Sequence, residues 1–213
     1  MSASEVVLYR KYRPQSFEEV KGQDHIVLAL SRALKINRLA HAYLFAGPYG
    51  TGKTTVSMGL AGTLVRRQGR VLVVDADSQG SATRWAAAAS DQIPFPASVS
   101  GLSAAGEKLH REVKKYVGQY DFIIIDCPPA VESAVPMSAL MVADLVLVPV
   151  IPSPPDLWAA IGIRELINNI RDTVNDGLVA RLVPNMCQPN TEVARGALDV
   201  LRTVLGDIDG IHE

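Results

Sequence analysis

Residues 47–54, Gly47-Pro48-Tyr49-Gly50-Thr51-Gly52-Lys53-Thr54, follow the spacing G-x-x-x-x-G-K-[ST], in which a backbone can wrap an oxyanion. Glycines at Gly47, Gly50 and Gly52 let the chain curl until several N–H groups point at one phosphate. The start of a helix adds positive potential at the same place. In this pattern Lys53 reaches the β- and γ-phosphates, and the Thr54 hydroxyl, with Thr55 beside it, faces a Mg²⁺ ion. The chemistry predicted from these residues is the binding of a nucleotide triphosphate.

Such a loop works only between a strand and a helix, and the flanks supply both. Ala42 to Phe45 reads as a short buried strand and Val56 to Arg66 as the helix that follows. Three further apolar runs, at 71–74, 122–125 and 145–148, alternate with helical patterns. That alternation predicts an α/β fold: a P-loop NTPase with a parallel sheet covered by helices on both faces, preceded by a short N-terminal helical segment. The expected helices are 53–66, 81–89, 106–117, 131–141, 156–171 and 191–204. The expected strand order is 71–75, 121–126, 42–46, 144–150, 178–184, with the nucleotide at the carboxyl ends. Asp126, aimed at the loop by the apolar run before it, is then the acid that holds Mg²⁺ through water opposite Thr54. Gln92 to Ser103, with two prolines and three serines, reads as a flexible connection. Pro149, Pro152, Pro154 and Pro155 read as a rigid strand-exit loop rather than a polyproline ligand. Trp85 and Trp158 are expected to be packing residues.

The bulk numbers are compatible with this. A chain of 213 residues with 48% hydrophobic content and net charge −1 can bury a core and has no strong general attraction for nucleic acid or anionic membrane. Residues 1–55 carry eight Lys/Arg against four Asp/Glu, and the remainder thirteen against eighteen, so the first segment is modestly basic. Cys127 and Cys187 have neither metal spacing nor a disulfide framework and are expected to be buried thiols. No signal-peptide pattern opens the chain. The greasiest run, Leu140 to Ile151, is too short to span a bilayer. A cytoplasmic location without membrane binding is the expectation.

Two resemblances divide the chain. Leu8 to Val20 (Leu-Tyr-Arg-Lys-Tyr-Arg-Pro-Gln-Ser-Phe-Glu-Glu-Val), then Gly22-Gln23, then Leu39 to Pro48 resemble the start of the gamma/tau subunit of bacterial DNA polymerase III, a clamp-loader ATPase of the AAA+ class. That likeness covers residues 8–55 and implies that Tyr9 to Val20 lie beside the adenine. From the loop onward the chain resembles the ParA/MinD family of partition and positioning ATPases, over residues 53–205. The motifs that carry this second likeness are Val71 to Ser81 with Asp75 and Asp77, Phe122 to Pro129 with Asp126, Ala143 to Trp158, and Leu182 to Asn185. It implies that Asp77 orients the attacking water, that Asn185 contacts the adenine and that Asp75 is structural or a partner of the metal site. The chain thus reads as a fusion joined within the phosphate loop, with a clamp-loader-like segment at 1–40 and an ATPase domain at 41–213.

Departures from both patterns narrow the function. Loops of the ParA type carry a first lysine that reaches the partner's nucleotide in an ATP-dependent homodimer. Its position here is Pro48, which offers no cation. Against the clamp loaders, Cys127 stands where a glutamate base follows the acid, and no cysteine cluster, arginine-finger segment or lid is found. The ParA-like part is expected to stop short of that family's last strand and helix. The function implied is a Mg²⁺–ATP switch with slow hydrolysis, engaging nonspecific DNA and a hydrolysis-stimulating partner protein. Arg164, Arg171, Arg195 and Arg202 are candidate phosphate contacts. The alternatives are a clamp-loader-like ATP-binding fragment and an inert hybrid of the two families.

Overall fold

The computed structural model describes residues 42–48, 50–129, 133–151, 153–186 and 196. The expectations for residues 1–41, Tyr49, Pro152, Cys187, Arg195, Arg202 and, apart from Gly196, the helix at 191–204 lie outside the described residues.

Six parallel strands form one sheet: β1 (Ala42–Phe45), β2 (Val71–Asp75), β3 (Ser98–Gly101), β4 (Phe122–Asp126), β5 (Leu145–Val150) and β6 (Val179–Pro184). Their order is β3-β2-β4-β1-β5-β6. The five strands read from apolar runs stand in the order expected for them. The helices are α1 (Lys53–Arg66), α2 (Ser81–Ala87), α3 (Leu109–Lys114), α4 (Ala134–Leu140) and α5 (Pro154–Thr173). A 3₁₀ segment, Ser103–Lys108, leads into α3.

Strand alternation explains why both faces of the sheet are covered. Side chains two apart share a face, and here both sets are apolar. Leu44, Leu72, Val74, Ile123, Ile125, Val146 and Val148 pack with Leu109 and Val113 of α3, Leu140 of α4, and Ile163, Ile167 and Ile170 of α5. Tyr43, Phe45, Val71, Val73, Ile124 and Leu147 pack with Val56, Leu60 and Leu64 of α1 and Trp85 of α2. No described helix is long and apolar enough to cross a membrane.

Four expectations need correction. The connection at 92–103 contains β3, paired from Leu72↔Ser98 to Asp75↔Gly101, and buries Phe95 and Ala97 in the core. Ser-Val-Ser-Gly has one apolar residue, and all four of its residues are exposed or half-buried. The helix expected at 106–117 is split, since Gly106 has φ +53 and interrupts the helical conformation. Trp158 is 72% exposed, whereas Trp85 is 7% exposed and packs as expected.

The prolines expected to form one exit loop are divided between elements, Pro149 lying inside β5 and Pro154 and Pro155 inside α5. Pro149 pairs with Val183 inside β5, two residues beyond the last β1 pairing, Phe45↔Leu147, so its missing N–H falls past the end of β1. Ser153 caps α5, accepting from the Asp156 N–H, and Pro154 stands at the helix start, where a missing N–H costs nothing.

Candidate functional site

The sheet ends its strands at one level, and that alignment builds the site. Phe45 and Asp126 are register partners, as are Asp75 and Asp126. After Phe45 the chain leaves β1, turns through the loop and enters α1 at Lys53. Gly50 has φ +79 and Gly52 φ +83, a left-handed conformation that glycine adopts without cost. A Cβ at Gly47 would stand 3.0 Å from the Pro149 carbonyl, so the loop also needs glycine there for close approach to β5.

Lys53 is 8% exposed and curls back on the loop, its Nζ donating to the carbonyls of Gly47 at 2.8 Å and Pro48 at 2.7 Å. Burial lowers its pKa, opposed by the charges of Asp126 and Asp77. The Thr51 hydroxyl closes the same turn on the Pro48 carbonyl at 3.0 Å. Thr54 donates its hydroxyl to Asp126 Oδ2 at 2.6 Å. Asp126 is 1% exposed, and burial pushes its pKa up to about 7, against the Thr54 hydrogen bond and the Lys53 charge, with Asp75 and Asp77 raising it further. Cys127 is buried, and burial raises its thiol well above the usual value.

The expected residues therefore converge: Gly47, Pro48, Gly50, Thr51, Gly52, Lys53, Thr54 and Thr55 on one turn, Asp126 across from it, and Asp77 close enough to act on both Lys53 and Asp126. Asp77 sits in a tight turn, Oδ1 accepting from the Gln79 N–H at 2.9 Å and its carbonyl from the Gly80 N–H at 2.9 Å. Asp75 holds that turn from below. Its Oδ2 accepts from both the N–H and the hydroxyl of Thr83, each at 2.8 Å, and so serves α2, whose own N-cap, Gly80, has no side chain. Asn185 approaches the loop, its Nδ2 donating to the Thr51 carbonyl at 2.6 Å.

Ser57 was not singled out from the sequence. It is fully buried, donates to the Lys53 carbonyl at 2.9 Å and stands 3.4 Å from Asp126 Oδ1. Its signal is a hydroxyl one helical turn after Lys53 in an otherwise apolar face. Of the arginines proposed as phosphate contacts, Arg171 is engaged through Nε with the Leu178 carbonyl at 2.8 Å, and Arg164 is half-buried.

The sequence profile of the CobQ/CobB/MinD/ParA nucleotide binding domain matches residues 46–208. The chain belongs to this nucleotide-binding family. Among curated relatives of this ParA/MinD-type domain, the Maintenance of carboxysome distribution protein A of Halothiobacillus neapolitanus is 36% identical over 146 residues, 68% of this chain and 66% of that protein. The DNA polymerase III subunit gamma/tau of Mycobacterium tuberculosis is 55% identical over 64 residues, 30% of this chain and 11% of that one. The chain thus spans less than two thirds of either relative, and both resemblances read from the sequence are present. Solved structures share the ParA/MinD fold. Cyanothece apo McdA aligns with TM-score 0.67 at 20% identity, covering 80% of this chain and 84% of that one. The septum site-determining protein MinD from Pyrococcus horikoshii, complexed with Mg-ADP, aligns with TM-score 0.52 at 21% identity, over 75% and 76% of the two chains.

Proposed function

We propose that this domain binds Mg²⁺–ATP in the 47–55 loop and acts as a slowly hydrolysing switch of the partition and positioning type. The observation that carries the reading is the 2.6 Å contact between the Thr54 hydroxyl and the Asp126 carboxylate. It sets two hard oxygen donors side by side at the mouth of a turn rich in backbone N–H groups, a donor set that suits Mg²⁺. Magnesium bound there would draw charge from the β- and γ-phosphate oxygens. Lys53 would exchange the carbonyls of Gly47 and Pro48 for those oxygens, trading neutral acceptors for charged ones. Asp77, held by its turn, would accept a hydrogen bond from water as it attacks the γ-phosphorus, the bond to the bridging oxygen breaking to give ADP and phosphate. Pro48 supplies no cation for the charge developing on that oxygen, which fits slow turnover.

Nonspecific DNA as scaffold, a hydrolysis-stimulating partner and a cytoplasmic location belong to the same reading. They rest on the resemblance to partition and positioning ATPases, with which membership of the nucleotide-binding family agrees. Titration with ATP, with and without Mg²⁺, followed by DNA binding at several salt concentrations, tests it. Tight Mg²⁺-dependent ATP binding and an ATP-dependent negative slope of log K against log salt are expected. Absence of ATP binding removes the switch, and a flat salt dependence removes the DNA.

A second reading is favoured by the gamma/tau similarity. In it the segment at 8–40 docks on polymerase or clamp-loader subunits while the loop binds ATP with little turnover. Co-purification with the delta subunits, lost on deleting that segment, distinguishes it.

A further inference from the structure

The residue that closes β6 is turned inward, onto the loop. Asn185 is 4% exposed. Its N–H donates to the Val150 carbonyl at 2.8 Å, and its Oδ1 accepts from the Met186 N–H at 3.0 Å. These bonds fix the backbone and one side of the amide group, leaving Nδ2 to donate to the Thr51 carbonyl at 2.6 Å. The packing is close as well: a Cβ on Gly52 would stand 2.4 Å from the same Nδ2.

A trans peptide is planar, with its C=O and N–H pointing opposite ways. Drawing the Thr51 oxygen toward Asn185 therefore turns the Gly52 N–H away from Asn185. No described backbone carbonyl accepts a hydrogen bond from that N–H. The peptide needs a lock because it precedes a glycine at φ +83, whose backbone rotates between wells at little cost. Without an external hold, the Thr51–Gly52 plane would turn over and present a carbonyl where an anion has to bind.

We infer that Asn185 is a positioning residue that locks the Thr51–Gly52 peptide so that the Gly52 N–H is offered to a phosphate of the ligand. The inference rests on the nucleotide reading above and assigns Asn185 to the phosphate end of the ligand. The adenine contact implied by family resemblance would place it at the base end. The two assignments differ in what they do to a ligand that has no base.

Binding of ATP, GTP and inorganic tripolyphosphate, each with Mg²⁺, to wild type, Asn185→Ala and Asn185→Asp separates them. The aspartate variant keeps the shape and an acceptor but loses the donor. Both substitutions should weaken all three ligands by the same factor, about tenfold for one lost buried hydrogen bond, and leave the ATP-to-GTP ratio unchanged. A loss confined to ATP, with tripolyphosphate binding intact, overturns the inference in favour of base contact. Wild type that binds neither ATP nor tripolyphosphate overturns the nucleotide reading along with it. A readout that needs no variant is the ¹⁵N–¹H resonance of Gly52 in the wild-type protein. It should move on addition of tripolyphosphate, and a resonance that stays in place overturns the lock.

Discussion

Asp75 and Asp126 are register partners at the ends of adjacent parallel strands, and both carboxylates face the α1–α2 side of the sheet. Asp126 is met there by Thr54 and Ser57 of α1, and Asp75 by Thr83 of α2. One oxygen of Asp75 is buried with no described hydrogen-bond partner. The neighbouring Asp75 adds to the burial that disfavours charge on Asp126, and a bound cation would relieve it.

A pH dependence follows from the burial of Asp126. The Asp126 pKa rises from 3.8 unfolded to about 7 folded, chiefly through burial. Between those values the folded state holds more protons than the unfolded one, so stability falls as pH rises through the window. A shift of that size is about 4 kcal/mol at ~1.4 kcal/mol per unit. Asp126→Asn stays neutral and keeps an acceptor for Thr54. Its melting temperature without ligand should exceed that of wild type by up to about 10 °C at pH 8. The gap should close near pH 4. Adding Mg²⁺–ATP should raise only the wild type. Differential scanning fluorimetry across pH 4–8 reads all three.

The loop glycines should differ sharply in tolerance. At Gly50, φ +79, a Cβ would meet nothing within 4 Å, whereas at Gly52, φ +83, it would meet Asn185 at 2.4 Å. Gly50→Ala should cost about 1 kcal/mol, the penalty for the left-handed conformation alone. Gly52→Ala adds a clash with a buried amide and should cost at least about twice that. Urea denaturation of the two variants gives the comparison.

Lysine and aspartate at the site should fail in different ways. Lys53→Ala removes the cation proposed to leave the Gly47 and Pro48 carbonyls for phosphate, and ATP affinity should fall about 10- to 100-fold. Asp77→Ala should bind ATP within a few-fold of wild type while turnover drops about 100-fold. Isothermal titration paired with a phosphate-release assay separates the two effects. Equal loss of affinity in both variants contradicts the roles assigned.

The tryptophans provide a check on the fold itself. Trp158 is 72% exposed and Trp85 7%, so the acrylamide-quenchable emission should belong to Trp158. Trp158→Phe should remove most of it and leave a blue-shifted residual. Unchanged quenching would place α5 wrongly.

Where the sequence carried a strong physical signal, the structure follows it closely. Apolar runs such as Phe122 to Ile125 and Leu145 to Val148 are buried on both faces, and no other pattern satisfies that demand. The phosphate-loop spacing located α1 to the residue. Weak signals hid the rest. β3 leaves Ser98 exposed and Ser100 half-buried, so polar side chains there cost little. Trp158 lies on a helix whose inward stripe is supplied by Ile163, Ile167 and Ile170, and a lone aromatic carries no mark of which way it faces. The Asn185–Thr51 bond spans 134 positions, and its partner is a carbonyl, which leaves no trace in residue type. Ser57 needed the register of β4 against α1, which only the folded sheet supplies.

β1 runs between β4 and β5, and its four residues are all buried. It belongs to the 8–55 stretch that resembles the polymerase subunit, whereas the other five strands belong to the stretch that resembles ParA and MinD. This short strand is therefore the keel of the molecule. Excise it and the sheet falls into two halves, β3-β2-β4 and β5-β6, with no strand pairing between them among the described residues. A chain beginning after Phe45 should not form this sheet, so the stretch that resembles the polymerase subunit cannot be trimmed away from the rest.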